Sequence, residues 1–407
     1  MRLFILVFIF SSSVFANLLQ DVIDNAQENS TIKLSTGIYV GNIIIDKPLT
    51  IIAKNKNVII KGDGFGSVVT IKSSYVTLKN LTITNSGNKM YKIDSAISMK
   101  NVSNCEINRC KILDSLYGID MQMVNKSKIL NNYITSKKLD ISLRGNALKL
   151  YYSNNNLINN NTIEYSRDIT LNYSNNNVFD KNTFIHNRFA THISLSHNNT
   201  IKNSLYKYNS VSIMVMGAKN MKVVGNIIES SNGAAGIGIV IKGVSNFKFE
   251  KNIVKYNAKG IYIDGGEKAK GMKRHINFNE ISYNGEAIHF HASIKDNNIT
   301  HNNIYGNIDD VVKDIEGRFS DSNIVEYNYW DRYTGFDENN DNIGDNSHQI
   351  YQYADQLWHY NNKVKFFYAS PVMSLLNFIA NLAPFVEPNL LLEDLKPYMT
   401  LDDSQLL

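Results

Sequence analysis

The 407-residue chain is sparing with charge, cysteine, proline and long apolar runs. Only 19% of its residues are charged against 43% hydrophobic, a balance that excludes a disordered chain and supports a sizeable core. The net charge of +5 is small for this length. Lys and Arg are scattered among polar residues instead of gathered on one stripe, which argues against nucleic-acid binding. Cys105 and Cys110 are the two thiols. Residues five apart fall on opposite faces of an extended strand, so they are expected as small packed side chains and not as a disulfide or functional pair. Beyond the first sixteen residues no segment reaches the roughly 20 apolar residues that a bilayer core demands.

Those opening residues have a form of their own. Arg2 supplies a positive end, Leu3 to Phe10 an apolar stretch, and Val14-Phe15-Ala16 a small-residue cleavage site. This is the pattern of a secretory signal peptide, with Asn17 opening an exported, soluble mature chain.

What is abundant is Asn, together with 23 Tyr and 18 Phe, and the Asn positions recur. Aligning Cys110-Lys111-Ile112, Asn132-Tyr133-Ile134, Asn161-Thr162-Ile163, Asn182-Thr183-Phe184, Asn203-Ser204-Leu205, Asn226-Ile227-Ile228, Asn252-Ile253-Val254, Asn279-Glu280-Ile281 and Asn302-Asn303-Ile304 puts an apolar residue two after each Asn, with Cys110 in the Asn place of the first. Successive apolar positions are 21 to 29 residues apart. That period fits one coil of a right-handed parallel β-helix, an all-β solenoid. Between the Asn positions apolar residues alternate with period two, as in Ile237-Gly238-Ile239-Val240-Ile241, which means half-buried strands. An Asn at a tight corner tolerates a left-handed backbone, and its amide can bond the same residue one coil away. Leu18, Leu19, Val22, Ile23 and Ala26 have helical spacing and are expected to cap the first coil, since open solenoid ends invite edge pairing.

The chemistry of secreted β-helix enzymes is missing. There is no Gly-His-Gly or Arg-Ile-Lys segment, and none of the five prolines stands in an Asp-Pro-His. Asp309-Asp310 sits in a polar run where a solvated turn is expected, and no Gly-rich nucleotide loop occurs. No catalytic centre is therefore expected. Two metal readings remain. Strand alternation turns Ile213 and Val215 inward and so Met214 and Met216 outward. His192 points the same way one coil earlier, and His289 and His291 should project beside Tyr262 and Asp264. Thioether and imidazole suit Cu(I), so this face is a candidate surface for transient copper, against the plainer reading of Met and His on a solvated sheet. Asp337, Asn339, Asp341, Ile343 and Asp345 place oxygens at alternate positions as a calcium loop does. Asn342 and His348 depart from that pattern, and a hydrogen-bonded acidic turn is the rival reading.

From Asn328 the repeat gives way. Asn328-Tyr329-Trp330-Asp331 leads through Gly335-Phe336-Asp337 and Ile343-Gly344-Asp345 to Tyr353-Ala354-Asp355-Gln356-Leu357-Trp358 and Phe366-Phe367. Ser370-Pro371-Val372, Leu382-Ala383-Pro384-Phe385, Glu387-Pro388 and Leu390-Leu391-Leu392 follow. This ordered set resembles the C-terminus of the NosD family, periplasmic β-helix proteins of nitrous oxide reductase maturation, and with the opening segment the likeness spans the whole chain. The resemblance implies a non-enzymatic periplasmic factor held at the inner membrane by its partners. Those partners would be an ABC-type permease and ATPase, a copper chaperone lipoprotein, and nitrous oxide reductase with its copper-sulfur site. Four segments are expected: signal peptide 1–16, solenoid with N-terminal cap 17–307, solenoid end with acidic loops 308–369, and tail 370–407. In the tail Val372, Leu375, Leu376, Phe378, Ile379 and Leu382 follow a three-to-four spacing after Ser370-Pro371, an amphipathic helix whose stripe must cover the last coil or meet a partner. Phe385, Leu390, Leu391 and Leu392 extend that candidate docking surface.

Overall fold

The structure is a computed structural model that describes residues 4–6, 15–16, 18–265, 272–291, 294–314, 322–352, 363, 367, 370–382 and 389–401. It divides into two compact units, residues 1–212 and 213–407. Nothing in the composition marks this division.

In the first unit short parallel strands build three sheets, each strand hydrogen-bonded to its counterparts one coil before and after. The register sets identical chemistry on identical rungs. Ile107, Ile129, Ile158, Phe179 and Ile201 form one inward column, Ile83, Ile112, Ile134, Ile163, Phe184 and Tyr206 a second, and Met99, Met121, Leu150, Leu171 and Ile193 a third. All of these side chains are buried. Successive side chains alternate faces along a strand, so the period-two pattern of the sequence becomes three lines of core, and the fold is a right-handed parallel β-solenoid. The helix Leu18–Asn25 buries Leu19 and Ile23 as expected of a cap. Most of the expected signal segment lies outside the described residues, although the backbones of Phe4–Leu6 and Phe15–Ala16 pair beside the first coil.

The second unit repeats the plan, with columns such as Ile228, Val254, Ile281, Ile304 and Trp330. It ends differently. Strands His348–Gln352 and Asn389–Asp394 pair antiparallel, although some forty residues separate them in sequence.

The Asn columns hold the turns together, by a division of roles the sequence did not suggest. Asn252 donates its side-chain amide to Val223 O (3.0 Å) and to Asn279 Oδ1 (3.0 Å), and its own Oδ1 accepts from the Asn226 backbone N–H (2.9 Å). The left-handed residue is the one before each column Asn: Asn131, Asn160, Lys181, Lys251, Phe278, His301 and Tyr327 all have positive φ, and the column Asn residues do not. In the coil at 203–206 this shifts the alignment by one. Asn203 is left-handed, Ser204 takes the column place by accepting from the Asn182 N–H (3.1 Å), and Tyr206 is the inward residue.

Candidate functional site

In the second unit the strands Ile237–Lys242, Lys259–Asp264, Glu286–Phe290 and Asp309–Lys313 are consecutive rungs of one parallel sheet. Ile239, Ile261, Ile288 and Val311 share one inward column. The opposite face carries Val240, Tyr262, His289 and Val312 in register, with Lys259 beside Glu286 at the strand starts. The chain thereby stacks Tyr262 on His289, with ring centroids 4.8 Å apart, and on His291 at 5.9 Å.

Around these rings a polar cluster closes. Lys259 Nζ donates to both Glu286 oxygens at 2.9 Å and lies 2.9 Å from His289 Nδ1. His289 Nδ1 is also bonded to Glu286 Oε2. The other imidazole nitrogen, Nε2, stands 3.0 Å from Asp314 Oδ2 without the alignment of a hydrogen bond. His291 Nδ1 contacts the same oxygen at 3.1 Å. On the next rung pair Lys242 meets Asp264 at 2.7 Å. Burial pulls the His289 pKa down, but the neighbouring carboxylates of Asp314 and Glu286 outweigh it and the net direction is upward. Burial, seconded by Asp314, Asp264 and Glu286, pushes the Tyr262 hydroxyl up to about 12. The carboxylates around the rings therefore favour the charged form of His289.

The expected copper face is only partly assembled. His289 and His291 do come together, but His289 is 1% exposed, not solvent-facing: its strand turns it outward, and Glu286, Tyr262 and Asp314 cover it. Met214 and Met216 are half-buried on Val211–Met216, and two further strands lie between it and Glu286–Phe290. Three steps at about 4.8 Å make roughly 14 Å, so no single ion is shared by the methionines and the His pair. His192 belongs to the first unit, where it lies beside Phe189 at 5.5 Å and where burial lowers its pKa. Lys259, Glu286 and Asp314 escaped the sequence reading. Counting one coil on from Lys259 and Tyr262 to Glu286 and His289 would have found the first two.

The acidic loop gathers all five expected residues. Asp337 accepts from the Asp341 and Asn342 N–H groups at 3.2 and 2.8 Å, Asn339 from Asp341 at 3.0 Å, Asp341 from Ile343 at 2.8 Å, and Asp345 from Glu338 at 2.7 Å. Its oxygens thus serve backbone amides as Asx turns do. Among the described residues no group of three or more His, Cys, Asp or Glu side chains is placed to hold a metal ion.

The tail splits. Helix Pro371–Leu382 leaves Val372, Leu375, Leu376, Phe378, Ile379 and Leu382 exposed, with Met373 buried. Leu391 and Leu392, expected on a docking surface, are instead 1% and 0% exposed in the strand paired to His348–Gln352, and Leu390 is half-buried. Phe385 lies outside the described residues. No helix among the described residues is long and apolar enough to cross a membrane.

Comparison with known proteins gives concordant matches. The family model described as "Periplasmic copper-binding protein (NosD)" matches residues 130–335. A "Probable ABC transporter binding protein NosD" of Pseudomonas aeruginosa is 28% identical over 367 residues, covering 87% of this chain and 84% of the relative. The protein of the same description from Stutzerimonas stutzeri is 25% identical over 390 residues, 92% and 88% of the two chains. Among solved structures, the A-module of a mannuronan C-5 epimerase of Azotobacter vinelandii superposes with TM-score 0.53 at 14% identity, covering 76% of this chain and 93% of its own. A surface protein and adhesin of Streptococcus pneumoniae gives 0.56 at 14%, covering 72% and 94%. At such identities these two likenesses concern the fold alone.

Proposed function

The chain belongs to the NosD family, and on that premise we propose that it is a periplasmic maturation factor for nitrous oxide reductase, acting with an ABC-type permease and ATPase in assembly of the reductase's copper-sulfur site. The observation that carries this reading is the family match together with relatives described as ABC transporter binding proteins that align along most of the chain. The factor is not itself an enzyme. A copper chaperone lipoprotein supplies the metal, and the exposed apolar helix Pro371–Leu382 is the surface offered to the permease. Export by the opening segment places the protein on the periplasmic side.

A deletion strain tests the reading. It should still export reductase polypeptide, but the purified reductase should lack the spectroscopic signature of its complete copper-sulfur centre. A fully loaded, active reductase from that strain would sink the proposal. The rival reading, a carbohydrate-active β-helix enzyme, is met by incubating the purified protein with uronate polymers. Release of unsaturated product would favour it.

A further inference from the structure

We propose that the open ring face of Tyr165, with the cavity beside it, is a docking site for one aromatic side chain of a partner protein. The inference goes beyond the maturation reading and does not rest on it, since it concerns the first unit and not helix Pro371–Leu382.

Turn residues of three successive coils carry stacked rings. Tyr165, His186 and Tyr208 have φ of 50°, 54° and 55°, a region that costs a residue with a Cβ roughly 1–2 kcal/mol. Tyr165 lies on His186 with ring centroids 4.9 Å apart, and His186 on Tyr208 at 5.2 Å. One coil earlier the column stops. Thr135 pairs with Glu164, so the next residue, Ser136, stands beside Tyr165 where a further ring would be, and its hydroxyl donates to the carbonyls of Ser115 and Leu116 at 3.3 and 3.4 Å. Tyr165 is left 50% exposed, and among the described residues no ring stacks on its second face.

That face opens on a cavity of about 880 Å³ with apolar walls from Leu113 and Leu139. Arg144 donates to Leu139 O at 2.6 Å and to Tyr165 O at 2.8 Å, which ties the loop 137–145 to the backbone that carries the ring. An entering ring therefore meets a stacking partner between walls already in place.

The surface beyond the cavity says what brings the ring. Leu139, Ile141 and Leu143 are exposed on the same loop, more apolar surface than a free aromatic molecule seated on Tyr165 would cover. Exposed Lys138 and Asp140 add one charge of each sign. A pocket for an aromatic anchor, aliphatic contacts around it and a charged rim is the anatomy of a protein interface. A saccharide would find little to bond, because Lys137 faces Asp114 at 3.9 Å and Arg144 is engaged by carbonyls.

The purified full chain is titrated with the blocked peptide acetyl-Leu-Ser-Trp-Ser-Leu-amide by calorimetry and ligand-observed NMR. The same peptide with Ala for Trp, indole alone, and cellobiose are run beside it. The Trp peptide should bind saturably, more tightly than indole and at least ~10-fold more tightly than the Ala peptide. Tyr165→Ala should weaken it at least ~10-fold, as should Ser136→Phe, which fills the vacant place with a ring. Tyr165→Phe keeps the face and Tyr208→Ala shortens the column at its far end, so both should bind within ~2-fold of the parent. The exposed pair Leu139→Ser and Leu143→Ser, which cannot disturb the core, should weaken the peptide and leave indole unchanged; circular dichroism checks that every variant folds. No saturable binding of the Trp peptide, equal affinity for indole, tighter binding of cellobiose, or a loss in Tyr208→Ala matching that in Tyr165→Ala would each overturn the docking site. None of these results touches the deletion-strain test of the maturation reading.

Discussion

Each rung of the Asn columns uses two adjacent residues for two different jobs. The column Asn is buried and bonded along the stack, and the residue before it carries the left-handed backbone. Their substitutions should therefore have opposite signs. Asn252→Ala strips the partners from the buried Val223 carbonyl and Asn226 N–H and should cost about 2–5 kcal/mol. Lys251→Gly relieves a Cβ at φ of 56° and should stabilise by up to ~1 kcal/mol in a denaturant titration. A second buried residue makes stability depend on pH. Burial pushes the Asp310 carboxyl from 3.8 up to about 7, against the partial relief of Arg332 at 3.9 Å. The folded state thus holds more protons than the unfolded between about pH 4 and 7, so this residue's contribution falls as pH rises through that window. Asp310→Asn should raise the melting temperature at pH 8, by the equivalent of a few kcal/mol at most, and change it little at pH 4. An equal shift at both pH values would refute the assignment.

At the scale of elements, the two pieces of the C-terminal region behave differently. Strand Asn389–Asp394 ends the Asn column: Asp394 Oδ2 accepts from Asn328 N and Nδ2 at 3.1 and 2.8 Å and from Trp330 Nε1 at 2.9 Å, replacing the Asn of a coil that does not follow. Its Leu392 fills the space opposite Ile350, and Leu392→Ala should cost ~2–5 kcal/mol by the melting of the second unit. Helix Pro371–Leu382 should tolerate what the strand cannot. Leu375→Ser, Phe378→Ser and Leu382→Ser together remove exposed apolar surface, so stability should stay within ~0.5 kcal/mol per site while co-purification with the permease is lost. Aggregation or early melting of that variant would make the helix a structural cover instead. Ser370-Pro371 and the three-to-four spacing made the helix readable. The Leu run was misread because its antiparallel partner lies some forty residues upstream, a pairing no local pattern announces.

For the whole molecule, stability is built coil by coil. Each strand of the first unit bonds its neighbours one coil away, so opening is graded along the stack rather than all-or-none. Native-state hydrogen exchange should find the amides of Ile134 and Ile163, several coils away from the N-terminal helix, better protected than those of Ile32 and Ile51 in the first coils. Uniform protection would mean that the unit opens as one.

The repeat, the strand alternation and the N-terminal helix were determined by the sequence, because a solenoid's contacts repeat at a fixed short spacing and its core faces are written with period two. So was the pairing of His289 with His291, two residues apart and hence on one face. The tertiary structure decided what surrounds that pair. Glu286 precedes His289 by three residues on the same strand, whereas Lys259 and Asp314 come from the coils before and after, and coil lengths that vary between 21 and 29 residues hide which residue stands above which. It also buried His289, since outward in a strand means exposed only where no neighbouring side chain closes over it, and here the register stacks Tyr262 and two carboxylates upon the ring.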